Sequence, residues 1–145
     1  MKKFISVLLA CLMVLSLAAC ESKPNTQNDG KVKAGFIFLH DENSTYDLNF
    51  INAAKEACDK LGVECVMKTN IPEGQECYEA ACELVDAGCN IVFADSFGHE
   101  DFLIQAAKEY PNVQFCHATG TKAHTEGLDN YHNAFASIYE GRFLA

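Results

Sequence analysis

Two polar clusters in this 145-residue sequence combine carboxylate, amide and hydroxyl groups with aromatic rings. Such groups hydrogen-bond the hydroxyls of a ligand, and aromatic faces stack on planar rings. A purely structural alternative also stands, in which Ser44 and Asp47 cap a helix while Tyr46 and Phe97 pack in the core. The predicted binding surface consists of Asp41, Asn43, Tyr46 and Asp47 in the first cluster and Asp95, Ser96 and Phe97 in the second.

Several catalytic motifs are missing from the sequence. It has no Gly-x-Gly-x-x-Gly and no Gly-Lys-Ser/Thr motif to cradle phosphate, and no Gly-x-Ser-x-Gly elbow. His99 and Glu100 begin like a zinc-protease helix, but Leu103 stands where the second histidine should be. We therefore expect no metal, no cofactor and no enzymatic activity, although composition alone leaves a Ser-His-Asp arrangement open.

Hydrophobic patterning predicts four strands that alternate with helices. The first strand is apolar on both faces, as in a central parallel strand, whereas the second alternates like an edge strand. Glycines that follow the first two helices supply left-handed stops. The predicted strands are Val32 to Leu39, Val63 to Lys68, Asn90 to Ala94 and Val113 to Cys116; the helices are Thr45 to Leu61, Gln75 to Ala87, one with Glu100 and Asp101 in its first turn, and a last one from near Asn133 that carries Phe135, Ile138 and Tyr139 on one face.

This order of elements predicts an α/β fold with a doubly wound parallel sheet. Right-handed crossovers give a flavodoxin-like strand order in which the second strand is outermost. The loops after strands one and three, His40 to Asp47 and Asp95 to Gly98, would then be neighbours at the switch point where ligands bind. The topology thus brings the two polar clusters together.

The N-terminus has the pattern of a lipoprotein leader. Lys2 and Lys3 precede an uncharged apolar segment, which predicts a signal peptide at residues 1–19. The small residues before Cys20 resemble the bacterial lipobox, whose cysteine carries acyl chains such as palmitate; an ordinary secretory cleavage site is the alternative. Residues 20–31 are polar and suit a flexible tether. The acyl chains would hold the protein at a membrane.

The charge balance limits the possible partners. Loss of the two leader lysines would shift the formal charge from −9 to about −11. Such an acidic surface argues against nucleic acid as a partner and against a basic face that adsorbs to anionic lipid.

Cysteine usage leaves two states open. Six of the eight cysteines lie beyond Cys11 and Cys20, and several occupy apolar positions of predicted helices and strands. Secretion makes disulfides possible, but buried free thiols are the more common state at such positions. The lack of a Cys-x-x-Cys pair argues against a zinc ribbon and a thioredoxin-like site.

Three segments of the sequence carry a further signal: KVKAGFIFLHDENSTYD, NIVFADSFGHEDFLIQAAKEYPNVQF and IYEGRFLA. They resemble the basic membrane protein family of ABC-transporter substrate-binding lipoproteins, which includes purine-nucleoside receptors. The resemblance implies a type I periplasmic-binding-protein fold whose two lobes close over a ligand, with residues 32–145 as the N-terminal lobe. It also implies a lipid-anchored protein on the extracytoplasmic face of the cell membrane that delivers a nucleoside-like ligand to an ABC permease.

The same resemblance implies roles for individual residues. Tyr46 stands where the family has a ring that stacks on the base, and Asp41 fits the acidic position after the first strand. Asp47 stands where the family often has Asn. The loop Asp95 to Phe97 fits the second group of contacts, with Asp101 just beyond it.

Other functions stay open. A flavodoxin-like enzyme or phospho-acceptor is one, because Asp41 and Asp95 at strand ends could bind a metal or accept phosphate. A sensory or adhesive surface lipoprotein is another. The sequence stops at Ala145 within a predicted helix, so we expect a fragment that lacks the second lobe.

Overall fold

The structure, a computed structural model, describes residues 30–135 and 139–144. The predicted signal segment, Cys20 and most of the tether lie outside these residues. Within them, no helix combines the length and apolar character needed to cross a bilayer. The strands are β1 (Lys33–Ile37), β2 (Glu64–Lys68), β3 (Ile91–Ala94), β4 (Gln114–His117) and β5 (Tyr131–Asn133); the helices are α1 (Thr45–Leu61), α2 (Gln75–Asp86), α3 (Glu100–Glu109), α4 (Ala123–Glu126) and α5 (Tyr139–Leu144), and a 3-10 turn (Phe97–His99) precedes α3.

The strands of the described residues form one parallel sheet in the order β2-β1-β3-β4-β5. β1 lies between β2 and β3, with Gly35 paired to Val66 on one side and to Val92 on the other. The apolar run of β1 suits this central place, because helices cover both faces of such a strand. The predicted α/β fold, with strand two at the edge, is confirmed.

A last helix is present, as predicted, but its predicted start is wrong. The sequence predicts a last helix from near Asn133, but Tyr131–Asn133 form a fifth strand instead. Tyr131 is buried and pairs with Phe115 of β4. A strand of three residues is too short to show an alternating pattern, so its place comes from pairing with its neighbour.

The predicted apolar face of that last helix also changes. Phe135 precedes α5 and is exposed, and Ile138 lies outside the described residues. Tyr139 is the first residue of α5. The loop between β4 and β5, which the sequence predicts to be irregular, contains the short helix α4.

Helix α1 begins and ends where the sequence indicates. Ser44 is the N-cap, and its hydroxyl accepts the backbone N–H of Asp47 at 3.2 Å. Gly62 ends the helix with φ +65°, a left-handed conformation that glycine adopts without steric cost. The Ser44 cap fixes the N-terminus of the helix, which carries the first polar cluster.

Helices lie on both faces of the sheet, but they cover the faces unequally. α2 and α3 pack on one face over a core that includes Ile37, Leu84 and Phe115, all fully buried. On the other face, α1 packs on β1 above a cavity of about 370 Å³ that is lined mainly by apolar side chains. The rings of Phe36 and Phe93 stack in this cavity with centroids 5.0 Å apart, and Asp95 lines its edge.

The cysteines of the described region behave as apolar residues. All six have free thiols, and Cys58, Cys77 and Cys89 are buried. Burial raises the pKa of the Cys77 thiol to about 12. A thiol that stays protonated in this way contributes packing rather than reactivity.

Candidate functional site

The first polar cluster is organised around the buried carboxylate of Asp47. The Ser44 hydroxyl donates to its Oδ2 at 2.5 Å, and the backbone N–H of His40 donates to its Oδ1 at 3.1 Å. The His40 ring nitrogen Nδ1 lies 3.1 Å from Oδ2. Burial opposes ionisation of Asp47, but these hydrogen bonds outweigh it and lower the pKa of the carboxyl. Asp47 therefore holds the loop after β1 in shape.

Asp41 and Asn43 form the outer part of this loop. Asp41 Oδ1 accepts the backbone N–H of Asn43 at 3.0 Å and its side-chain amide at 2.9 Å. The hydrogen bonds from Asn43 lower the pKa of Asp41. Asn43 is exposed and Asp41 is half-buried, so both residues offer polar groups at the outer rim of the loop after β1.

Tyr46 joins the first cluster to the second. Its hydroxyl donates to the backbone carbonyl of Asp95 at 3.1 Å. Its ring lies 5.0 Å from that of Phe50, and the residue is 49% exposed. Much of the ring thus remains open to solvent, which is incompatible with a role only in core packing.

Asp95, directly after β3, is the least satisfied side chain of the site. The residue is 2% exposed, and neither carboxylate oxygen makes a well-formed hydrogen bond among the described residues, although the Asp47 carboxyl and the Leu39 backbone lie beside it. Burial, together with the negative charge of Asp47, raises the pKa of Asp95 to about 7. Buried polar groups in native proteins are nearly always paired, so this carboxyl has capacity for further hydrogen bonds.

Ser96 and Phe97 extend the second cluster. The Ser96 hydroxyl donates to the Glu73 carboxylate, and the Ser96 carbonyl accepts the backbone N–H of His99 at 2.9 Å. Phe97 opens the 3-10 turn and is 64% exposed, so it is not a core residue. The structure therefore places two accessible rings, Tyr46 and Phe97, on the loops that meet at Asp95.

Asp101 is less closely connected to the clusters. It lies in the first turn of α3 and forms an ion pair with Lys122. In the described part of the chain, no hydrogen bond or ion pair links it to the first or second cluster. Its role as a ligand contact stays a prediction.

Three residues that support the second cluster are absent from the sequence prediction. His117, buried at the end of β4, places Nε2 at 2.7 Å from the carbonyl of Ser96. Its Nδ1 accepts the backbone N–H of Thr119 at 3.1 Å, so the ring is neutral with its proton on Nε2. Thr119 also donates its hydroxyl to the Asp95 carbonyl at 3.1 Å. Glu73, after β2, is the third.

The predicted parallel topology could have indicated that these three residues lie near the two clusters. All three lie at or beyond the carboxyl ends of parallel strands, on the same side of the sheet as the two clusters. Burial lowers the pKa of His117, which agrees with its neutral, structural role. Among the described residues, no group of three or more His, Cys, Asp or Glu side chains could hold a metal ion.

The fold is shared with a class of solved structures. An ABC transporter solute-binding protein from Conexibacter woesei matches 70% of this chain and 34% of its own length, with a TM-score of 0.62 and 14% sequence identity. Another, from Aeropyrum pernix K1, matches 72% of this chain and 28% of its own length, with a TM-score of 0.55 and 18% identity. The chain therefore has the α/β fold of periplasmic-binding-type ABC solute-binding proteins.

Sequence similarity identifies the family. Residues 37–145 match the family of PnrA-like ABC transporter substrate-binding proteins, and the chain belongs to this family. It is 35% identical over 119 residues to a purine-binding protein of Brucella abortus (strain 2308), a match that covers 79% of this chain. The chain spans about a third of the length of that relative, 32%.

Proposed function

We propose that the chain forms one wall of a purine-nucleoside site in a substrate-binding lipoprotein of an ABC importer. The observation that carries this proposal is the buried Asp95 carboxyl, whose oxygens have no well-formed hydrogen bond among the described residues. Asp95 is two residues before Phe97, and its backbone carbonyl accepts the hydroxyl of Tyr46. A nucleoside supplies hydroxyl donors for a carboxylate and a planar base for aromatic rings. The similarity to a purine-binding protein supports the same ligand class.

Each residue of the two clusters has a role in this proposal. Tyr46 and Phe97 offer faces on which a base stacks, and Asp95 accepts hydrogen bonds from sugar hydroxyls. Asp41 and Asn43 add polar contacts at the rim. Asp47 holds the loop after β1, and Ser96 adds a hydroxyl beside Asp95. Binding and release need no covalent bond to be made or broken, which fits a transport protein rather than an enzyme.

The proposal also gives the protein a location. Cleavage after residue 19 and acylation of Cys20 would anchor the chain to the outer side of the cell membrane, beside the permease. The polar tether would let the lobe reach that partner. Replacement of Cys20 by serine should move the protein from the membrane fraction to the soluble fraction and abolish labelling with an alkyne-tagged palmitate. Retention of the label in that variant would contradict acylation at Cys20.

Calorimetry on the complete protein tests the ligand class. Inosine, guanosine and adenosine are titrated into the protein, with ribose and a pyrimidine nucleoside as controls. We expect saturable binding of at least one purine nucleoside and no measurable binding of ribose. An absence of heat with all three purine nucleosides would remove this ligand class.

A further inference from the structure

The loop between β2 and α2 connects the two polar clusters from the edge of the sheet. The backbone N–H of Ile71 donates to the carbonyl of Phe38, at the end of β1, at 3.1 Å. The Ile71 carbonyl lies 2.9 Å from Nε2 of His99, at the end of the 3-10 turn. Although β2 is an edge strand, the loop that follows it thus contacts the residue after β1 and the 3-10 turn that follows β3.

Glu73, in this loop, binds the second cluster directly. Its Oε1 accepts the backbone N–H of Gly98 at 2.9 Å and also the hydroxyl of Ser96. The hydrogen bond from Ser96, followed by that from Gly98, lowers the pKa of Glu73. One carboxylate therefore closes both ends of the short segment that presents Phe97.

The contact between Glu73 and Gly98 also depends on the lack of a side chain at Gly98. A Cβ atom at this position would lie 2.4 Å from Cδ of Glu73 and 2.8 Å from its Oε1. Gly98 does not have a positive φ, so alanine could adopt its backbone conformation. The absence of a side chain at Gly98 is what makes room for the carboxylate.

We infer that Glu73 is a positioning residue of the ligand site, which holds Ser96 and Phe97 in the conformation that receives a ligand. The identity of the ligand in this inference rests on the proposed function. The contact of Glu73 with Ser96 and Gly98 is independent of it. Glu73 acts through Ser96, Phe97 and Gly98, which directly follow the buried carboxyl of Asp95. The loop after the edge strand thus becomes part of the site, although it supplies no predicted ligand contact.

The first measurement needs no ligand. Amide hydrogen exchange, resolved by NMR, is compared for the wild type, Glu73→Ala, Glu73→Gln and Gly98→Ala. We expect the Gly98 amide to exchange at least tenfold faster in Glu73→Ala, whereas Glu73→Gln keeps protection because its amide oxygen still accepts. In Gly98→Ala, the methyl group displaces the carboxylate without removing its charge, so the Ser96 to His99 segment should exchange faster. Glu76→Ala, which removes a neighbouring exposed acid, should match the wild type.

The second measurement uses inosine calorimetry on the complete protein. Glu73→Ala and Gly98→Ala should each weaken binding by about tenfold, with Glu73→Gln and Glu76→Ala close to the wild type. Unchanged Gly98 protection in Glu73→Ala, or equal affinity in the presence of lost protection, would overturn the positioning role. If the wild type binds no nucleoside, the proposed ligand fails while the exchange data still decide whether Glu73 orders the loop.

Discussion

The hydroxyl of Tyr46 donates a hydrogen bond to the backbone carbonyl of Asp95 across 3.1 Å. Tyr46 is in the first turn of α1, and Asp95 directly follows β3, so this bond joins loops from two neighbouring central strands. The bond fixes the position of the tyrosine side chain relative to the segment that carries the buried Asp95 carboxyl. In the proposed site, ring and carboxyl contact one ligand because the two segments are joined in this way.

Substitution of Tyr46 separates the role of the ring from that of the hydroxyl. Tyr46→Ala should weaken purine-nucleoside binding by about 1 to 3 kcal/mol, since a base loses its stacking partner. Tyr46→Phe keeps the ring and should lose only the hydrogen bond, about 1 kcal/mol of folding stability. Calorimetry and thermal unfolding measure the two effects. Equal affinities of Tyr46→Ala and the wild type would show that no base stacks on this ring.

The affinity for a nucleoside should depend on pH through Asp95. The pKa of Asp95 is raised to about 7 in the ligand-free protein, and hydroxyl donors favour the ionised carboxylate. Binding below pH 7 must therefore release a proton, so affinity should fall as pH decreases from 8 to 5, by up to about tenfold per unit. In Asp95→Asn this dependence should disappear. Calorimetry at several pH values would contradict the assignment if affinity were constant in the wild type.

Asp95 should also lower the stability of the ligand-free protein at alkaline pH. Its pKa is higher in the folded than in the unfolded state, so its favourable contribution is complete below the unfolded pKa and is lost as pH rises through about 7. Asp95→Asn should thus be more stable than the wild type at pH 8, by about 1 to 3 kcal/mol, because a buried charge without a partner is removed. The gain should shrink as pH falls to 5.

Urea unfolding at both pH values measures this effect. Asp59→Asn, which removes an exposed acid from α1, is the matched control and should change stability little at either pH. A variant Asp95→Asn that is less stable than the wild type at pH 8 would show that the carboxylate has partners in the ligand-free protein.

Removal of the α1 cap should destabilise the first cluster. Ser44→Ala loses the bond that caps the helix and the hydroxyl donor to Asp47, so stability should fall by about 0.5 to 2 kcal/mol. Thr45→Ala changes an exposed neighbouring residue and should have little effect. Thermal unfolding compares the two. A loss in Thr45→Ala as large as that in Ser44→Ala would contradict a specific role of the cap, because alanine is a better helix former than threonine.

The sequence predicts those parts of the fold that depend on local patterns. The apolar run of β1, the cap at Ser44 and the stop at Gly62 are recognisable without tertiary information. Strand order follows from the handedness of the crossovers, which brings the loops of Tyr46 and Asp95 together. The contacts between the two clusters could therefore be anticipated.

Other features depend on contacts that no local pattern reveals. β5 is a strand because Tyr131 pairs with Phe115, not because three residues favour extended backbone. Glu73, in the loop after the edge strand β2, accepts the hydroxyl of Ser96. His117, at the end of β4, donates to the Ser96 carbonyl. The partner of Asp101, Lys122, comes from a loop whose course the sequence does not indicate.

The central position of β1 has a consequence for how the protein assembles. β1 is the earliest strand of the chain, yet both of its neighbours, β2 and β3, come later. Parallel pairing requires a complete crossover helix between partners, so these pairings are non-local and slow compared with hairpin formation. The central pairings of the sheet therefore form only when segments that are distant in the sequence meet. Tyr46 and Asp95 come together through the pairing of β1 with β3, so their contact depends on the same non-local step.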